Sequence, residues 1–341
     1  MHLPRFEHVR ASTLEEASRL LAESGGSARL VAGGSDLFPR MKYRLEQPAC
    51  LVSLGGIQPR EPIIADSGEL TIDALLPLAQ VAQAAVIRQR APLLAEAAHC
   101  VASAQIRQVG TLGGNLCIET RCLYYNQSHT FQFVEPCLKR GGTLCYFAPK
   151  GQKCWAVFCG DTAPALIGLQ ARVEIVSPTG SRELPLEDLY TGDPLLPLRL
   201  AGGDVIAQVL LPAAPAQQRG AFVKFSLRGG VEFAGVSVTA VIDLAADGRT
   251  CAGARIVVGA VTAAPMRARL AEQALIGREL NRAMIPDVAR QVPAEVRPLP
   301  HHGYSAGYLK QCLEVQARRA LTRALEDFGP DPGARGQGDT P

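Results

Sequence analysis

Six of the ten cysteines crowd between positions 117 and 159, at Cys117, Cys122, Cys137, Cys145, Cys154 and Cys159, while Cys50, Cys100, Cys251 and Cys312 are scattered. In a reducing compartment such a concentration points to a metal site rather than a disulfide framework, and the scattered four read as small buried hydrophobes. The compartment follows from the rest of the chain. The opening MHLPRFEHVR lacks the apolar stretch of a signal peptide, and no apolar run nears the roughly 18–20 residues that span a bilayer. A cytoplasmic protein without membrane contact is expected. Lys plus Arg (35) nearly balance Asp plus Glu (32), which leaves no basic footprint for nucleic acid. With 47% hydrophobic residues in 341, the chain can bury about two domains.

Three chemistries compete for the cysteine segment. Zinc sites show paired C-x₂₋₄-C knuckles; here C-x₄-C occurs at both edges, but the inner gaps of 14, 7 and 8 residues are too open. An iron–sulfur cluster needs four thiolates and tolerates varied spacing. The segment 118–158 also carries eight of the chain's 18 aromatics and a net charge of +3, and cations and water-excluding rings both suit an anionic cluster. The third reading is an aromatic satellite core whose cysteines are incidental.

Along the chain, Ser12 and Thr13 each precede a glutamate by three residues, a doubled capping-box signal for a helix over 12–24. Strands are expected at 28–32, 50–54, 68–75, 165–177 and 204–211, with two helices over 77–103 split at Pro92. Beyond the proline-rich 212–215 linker, strands at 221–228, 234–244 and 254–261 precede helices at 264–276, 282–292 and 306–326. Strands followed by helices predict an α+β domain with its sheet covered on one face. The Gly/Pro-rich 327–341 reads as a flexible tail.

Two glycine turns stand out: Ala32-Gly33-Gly34-Ser35-Asp36, running out of the 28–32 strand, and Gly110-Thr111-Leu112-Gly113-Gly114-Asn115. Glycine lets a backbone approach a ligand closely, and successive exposed N–H groups make an anion cradle suited to a pyrophosphate. Ser35 adds a hydroxyl, and Asp36 is placed to cap a short helix over 37–42. Neither turn matches the G-x-G-x-x-G fingerprint in a βαβ setting, which speaks against a Rossmann dinucleotide site. Each alone reads equally as a tight turn.

Together with Asp161-Thr162-Ala163-Pro164-Ala165-Leu166 and Phe233-Ala234-Gly235-Val236-Ser237, these turns resemble the FAD-binding medium subunits of molybdenum hydroxylases, the group that includes xanthine dehydrogenase and carbon monoxide dehydrogenase. The resemblance runs from about residue 4 to 325. It implies an α+β chain: an FAD-binding domain of the PCMH/VAO-like type over 1–214, built from two α/β subdomains, then an α+β domain over 215–326. It further implies that Leu30, Val31, Ala32, Gly33, Gly34, Ser35 and Asp36 wrap the FAD with Gly110, Thr111, Gly113, Gly114 and Asn115. Asp161 would meet the ribityl region, and Lys224 would lie near the flavin. Family members usually carry Thr at the place of Ser35, and the hydroxyl is kept.

Most members join the two last flavin motifs by a short loop, whereas 45 residues separate Asn115 from Asp161 here. The insert at about 118–158 is similar to one in the medium subunits of 4-hydroxybenzoyl-CoA reductases, through Thr120-Arg121-Cys122-x-Tyr124-Tyr125-Asn126-Gln127 and Cys154-x-Ala156-Val157. That resemblance implies a [4Fe-4S] cluster on Cys122, Cys137, Cys145 and Cys154. Cys117 and Cys159 border the expected flavin turns and read as packed thiols, with either open to replacing one of the four, and His129 within the insert is a candidate neighbour.

The expectation is an oxidoreductase subunit with no catalytic residue of its own, carrying electrons by FAD and [4Fe-4S]. It would reductively remove the phenolic hydroxyl of 4-hydroxybenzoyl-CoA within an anaerobic aromatic-degradation complex. Its partners would be a molybdopterin large subunit and a small subunit with two [2Fe-2S] clusters, in a dimer of heterotrimers served by an external donor or acceptor such as ferredoxin. Two alternatives stand beside it: an oxidative molybdenum hydroxylase acting on an aldehyde or N-heterocycle, and a zinc-stabilised non-redox scaffold.

Overall fold

A computed structural model describes residues 2–127 and 135–326; His129 and the 327–341 tail lie outside the described residues. Three sheets organise them. The first is parallel, with Cys50–Ser53 between Glu7–Arg10 and Ala28–Val31. Its helix Leu14–Glu23 starts where the sequence signals it: Thr13 Oγ1 accepts from the Glu16 N–H, and the Glu16 carboxylate reaches back to Ser12. Ala17 on that helix packs into the cluster of Ala28, Val52 and Leu54.

The second sheet is antiparallel, in the order Ile63–Ile64, Leu70–Asp73, Val205–Leu211, Arg172–Ser177, Gly180–Pro185. Helices pack Val81, Ile87, Leu94 and Leu166 onto its Ile72, Val173 and Val209. Residues 77–103 hold three helices rather than two, Leu78–Gln83, Ala85–Arg90 and Pro92–His99, because Ala84 is extended (ψ 124°) and breaks the first pair. The strand expected over 165–177 begins only at Arg172; the helix Thr162–Gly168 precedes it, and Gln170 turns between them at φ 58°. Every residue of that helix is buried, so its sequence shows no polar face and no 3.6-residue period to read.

The third sheet is antiparallel: Met266–Arg267, Cys251–Gly259, Val236–Leu244, Gln218–Phe225. Helices Ile285–Glu295 and Ala306–Ala324 cover one face through Val288, Val292, Leu309, Leu313 and Ala317. Its other face is not open: Phe222 and Val241 meet Leu93, Ala97 and Ala165 of the preceding part. Of the helix expected over 264–276, only Arg269–Gln273 forms, since Met266–Arg267 is drawn onto the sheet edge. No helix among the described residues is long and apolar enough to cross a membrane.

Candidate flavin cleft and cysteine cavity

The strand Ala28–Val31 delivers residues 32–36 to a cleft of about 1000 Å³ between the three sheets. The second glycine turn reaches the same cleft by another route. It is strapped to the segment after Leu70–Asp73 by bonds from Leu78 N to Gly110 O (2.8 Å), Leu112 N to Leu76 O (3.0 Å) and Gly113 N to Ala74 O (2.8 Å). The two turns then touch. A methyl group on Gly33 would lie 1.7 Å from the Val109 carbonyl oxygen, and one on Gly110 would lie 3.3 Å from Ser35 Oγ. Gly34 adopts φ +67°, the left-handed region that favours glycine.

Most residues singled out from the sequence converge here. Leu30, Val31, Ala32, Gly33, Gly34, Ser35, Asp36, Gly110, Thr111, Gly114, Asn115 and Asp161 all line the cleft. Thr111 caps the short helix Leu112–Leu116 by accepting from Gly114 N–H, and Asn115 Oδ1 accepts from Thr162 N and Oγ1 (3.2 and 2.7 Å), tying the turn to the Asp161 segment.

Three residues do not behave as expected. Gly113 faces the protein itself: a methyl group there would meet the Ala74 side chain at 2.9 Å and the Ala74 carbonyl at 3.1 Å. Asp36 stands at the start of Leu37–Lys42 without capping it, because its carboxylate is taken by Arg121 and, at 3.5 Å, by Arg40. Lys224 lies behind the cleft wall, where Nζ donates to Asp161 Oδ2 (2.7 Å) and to the carbonyls of Cys100 (2.9 Å) and Glu232 (3.2 Å). Burial pushes the Asp161 carboxyl up against the opposing pull of this ammonium. Both side chains are almost wholly buried, so Lys224→Met strands a carboxylate. It is expected to cost about 3–5 kcal/mol of stability, read as a lower urea midpoint; a change below about 1 kcal/mol, within the range of an exposed ion pair, would contradict the pairing.

The cleft also takes residues that the sequence did not place there. Arg121 comes from the insert, with its guanidinium carbon 4.3 Å from the centre of the Phe233 ring. Phe233 and Glu232 come from the loop before Val236–Leu244, and His302 and Tyr304 from the approach to the last helix. His301 is buried and bridges the carbonyls of Leu299 and Gly235, which fixes the 301–304 segment in place. Beside it the His302 imidazole is pushed down to about 4, first by desolvation and then by His301 and Arg121. Arg121 and Phe233 stand in motifs quoted above, but nothing local marks any of these side chains as a cleft wall, because they meet only in the folded chain.

The insert forms a second cavity. Cys122, Cys137, Cys145 and Cys154 line it together, with Tyr124, Tyr125, Lys139, Tyr146 and Trp155. Its neck is a pair of backbone bonds between Arg121 and Val157 (2.7 and 2.9 Å). Tyr124 stacks on Tyr146 and meets Phe147 edge-on, both at 5.2 Å. Lys139, itself buried, pairs with Glu119 (2.9 Å) and stands 5.1 Å from the centre of the Tyr125 ring. Among the described residues no three Cys, His, Asp or Glu side chains gather closely enough to hold one metal ion. Cys117 and Cys159 border the flavin cleft instead, where burial pushes their thiols up to about 12. Cys122 lines both cavities.

The fit to FAD can be tested on the chain itself. The cleft has the volume of a cofactor site, two glycine turns form its floor, and the Nε atoms of Arg40 and Arg121 are buried there without a partner. A buried unpaired donor is costly, and an anionic ligand relieves it.

Comparison with known proteins agrees. The family described as the FAD binding domain in molybdopterin dehydrogenase matches residues 4–214. The chain belongs to that family. As an FAD-binding subunit it also matches, over 221–324, the CO dehydrogenase flavoprotein C-terminal domain. It is 28% identical over 333 residues to the 6-hydroxypseudooxynicotine dehydrogenase complex subunit alpha of Paenarthrobacter nicotinovorans, covering 97% of this chain and 98% of that one. It is 32% identical over 263 residues to the aldehyde oxidoreductase FAD-binding subunit of Escherichia coli K12 (73% and 80%). Among solved structures, the carbon monoxide dehydrogenase of Hydrogenophaga pseudoflava superposes with a TM-score of 0.78 at 25% identity, covering 96% of this chain and 99% of that one. The subunit is thus part of an oxidoreductase and binds FAD.

Proposed function

We propose that this subunit is the electron outlet of an oxidative molybdenum hydroxylase acting on an aldehyde, and that it holds a [4Fe-4S] cluster beside its flavin. The observation that carries the reading is Cys122, a wall of both the flavin cleft and the four-cysteine cavity. When bound, FAD supplies two-electron chemistry and a four-thiolate cluster one-electron chemistry. The chain's own contribution is placement: the glycine turns and Asp161 seat the flavin, and Cys122, Cys137, Cys145 and Cys154 would hold the cluster under a cover of Tyr124, Tyr146 and Trp155. Lys139 adds a buried cation to the same wall.

A cluster suits that cavity better than zinc. Four thiolates on one zinc must all lie about 2.3 Å from a single point and come as paired knuckles, whereas the inner gaps between these four cysteines are 14, 7 and 8 residues. Four thiolates on a cluster each bind a different iron, so they share a cavity without crowding.

The oxidative direction, rather than the reduction of 4-hydroxybenzoyl-CoA suggested by the insert, follows the relatives. These are named as dehydrogenases and oxidoreductases, and the aldehyde oxidoreductase subunit is the 32% identical one. The reading includes a molybdopterin large subunit, a small subunit with two [2Fe-2S] clusters, assembly as a dimer of heterotrimers, and an external acceptor such as ferredoxin. It also includes a cytoplasmic location, in keeping with ten free cysteines.

The assay compares two additions to the purified complex under anaerobic conditions. An aldehyde is expected to bleach the flavin absorbance within turnover time. Consumption of 4-hydroxybenzoyl-CoA with a low-potential reductant, and no bleaching by any aldehyde, would overturn the oxidative assignment.

A further inference from the structure

We infer that Arg121 is a positioning residue through which the cysteine insert holds the flavin site closed, so that FAD retention depends on a side chain the flavin-binding fold does not itself supply. Arg121 is the first residue of the neck. Its backbone is bonded in both directions to Val157, and Cys122 follows it directly. Its side chain leaves the insert and enters the flavin cleft. There one guanidinium nitrogen donates to Asp36, the last residue of the first glycine turn, while the face of the group covers Phe233 from the C-terminal part of the chain.

One planar cation therefore joins three segments that meet nowhere else in sequence: the glycine turn, the insert and the 226–235 loop. Arginine suits this role, since it can pair with a carboxylate in plane and stack on a ring out of plane at once. A further N–H remains over. Arg121 Nε is buried and has no partner within the protein, and the residue lines the cleft. The guanidinium therefore shapes the wall of the cleft from within the insert. The coupling is reciprocal: whatever loosens the neck loosens the flavin, and bound FAD steadies the neck.

The test uses the assembled complex, with FAD release followed by fluorescence after dilution and ultrafiltration, and iron measured in the same samples. Arg121→Gln is expected to raise the Kd for FAD at least tenfold with little change in thermal midpoint. Arg121→Lys, which keeps a charge for Asp36 but not the planar stack, should recover part of that loss. Because Arg121 acts partly through Asp36, Arg121→Gln combined with Asp36→Asn should cost less than the two single losses together. The bound flavin's absorbance maxima should also shift in Arg121→Gln, which a remote structural lesion would not cause. Wild-type affinity in Arg121→Gln, or full additivity with Asp36→Asn, overturns the inference. The inference rests on the flavin cleft alone, and the iron assay keeps it apart from the proposed cluster. A wild type holding only the four irons of the small subunit's two [2Fe-2S] clusters would sink that cluster while the Arg121 effect is still read on FAD.

Discussion

Replacing Gly33 with alanine is expected to empty the flavin site. The added methyl group would sit 1.7 Å from the Val109 carbonyl oxygen and 2.4 Å from its carbon, inside the backbone that ends the helix Ala104–Val109. No rotamer relieves a clash between Cβ and a main chain, so the two glycine turns must part. Their contact forms the floor of the cleft. Overpacking of this kind costs typically 1–3 kcal/mol and occasionally more, and loss at the upper end of that range weakens FAD binding about 100-fold. Gly202→Ala is the control, because nothing lies within 4 Å of a methyl group there. Equilibrium dialysis of the two variants decides the matter. Full flavin content in Gly33→Ala would mean that the turns are not the binding floor.

The second large effect concerns the insert. Cys145→Ala should lose iron while retaining FAD, since Cys145 lines the cysteine cavity and not the cleft. Cys122→Ala should lose iron and weaken FAD as well, because that residue walls both spaces. Cys50→Ala, on the parallel sheet, should change neither. Iron and flavin are measured per mole of purified complex. A Cys145→Ala protein with wild-type iron would remove that thiolate from the ligand set.

Much of this arrangement was legible because its signals are local. The capping box at Thr13 and the two glycine turns each require only a few adjacent residues, the cysteine density lies within one continuous segment, and each appears in the structure at its expected place. What escaped depends on contacts far apart in sequence. The family resemblance of its turn makes Gly113 a ligand-facing glycine, yet its small size serves packing against Ala74. Asp36 reads as a helix cap, yet a cation 85 residues away claims it. Lys224 stands behind Asp161, an arrangement that only the folding of the third sheet against the helix Thr162–Gly168 creates. The end of that helix, from Ala165, reads as strand for a related reason: a fully buried helix and a fully buried strand are both plain apolar runs.

The most direct test of two redox centres on one chain is a metal and sulfide analysis of the complex purified without oxygen, counting only the iron held by this subunit. About four irons with matching acid-labile sulfide per FAD, lost together in Cys145→Ala, is the result predicted. One zinc per chain, or FAD with no iron on this subunit, would contradict the account.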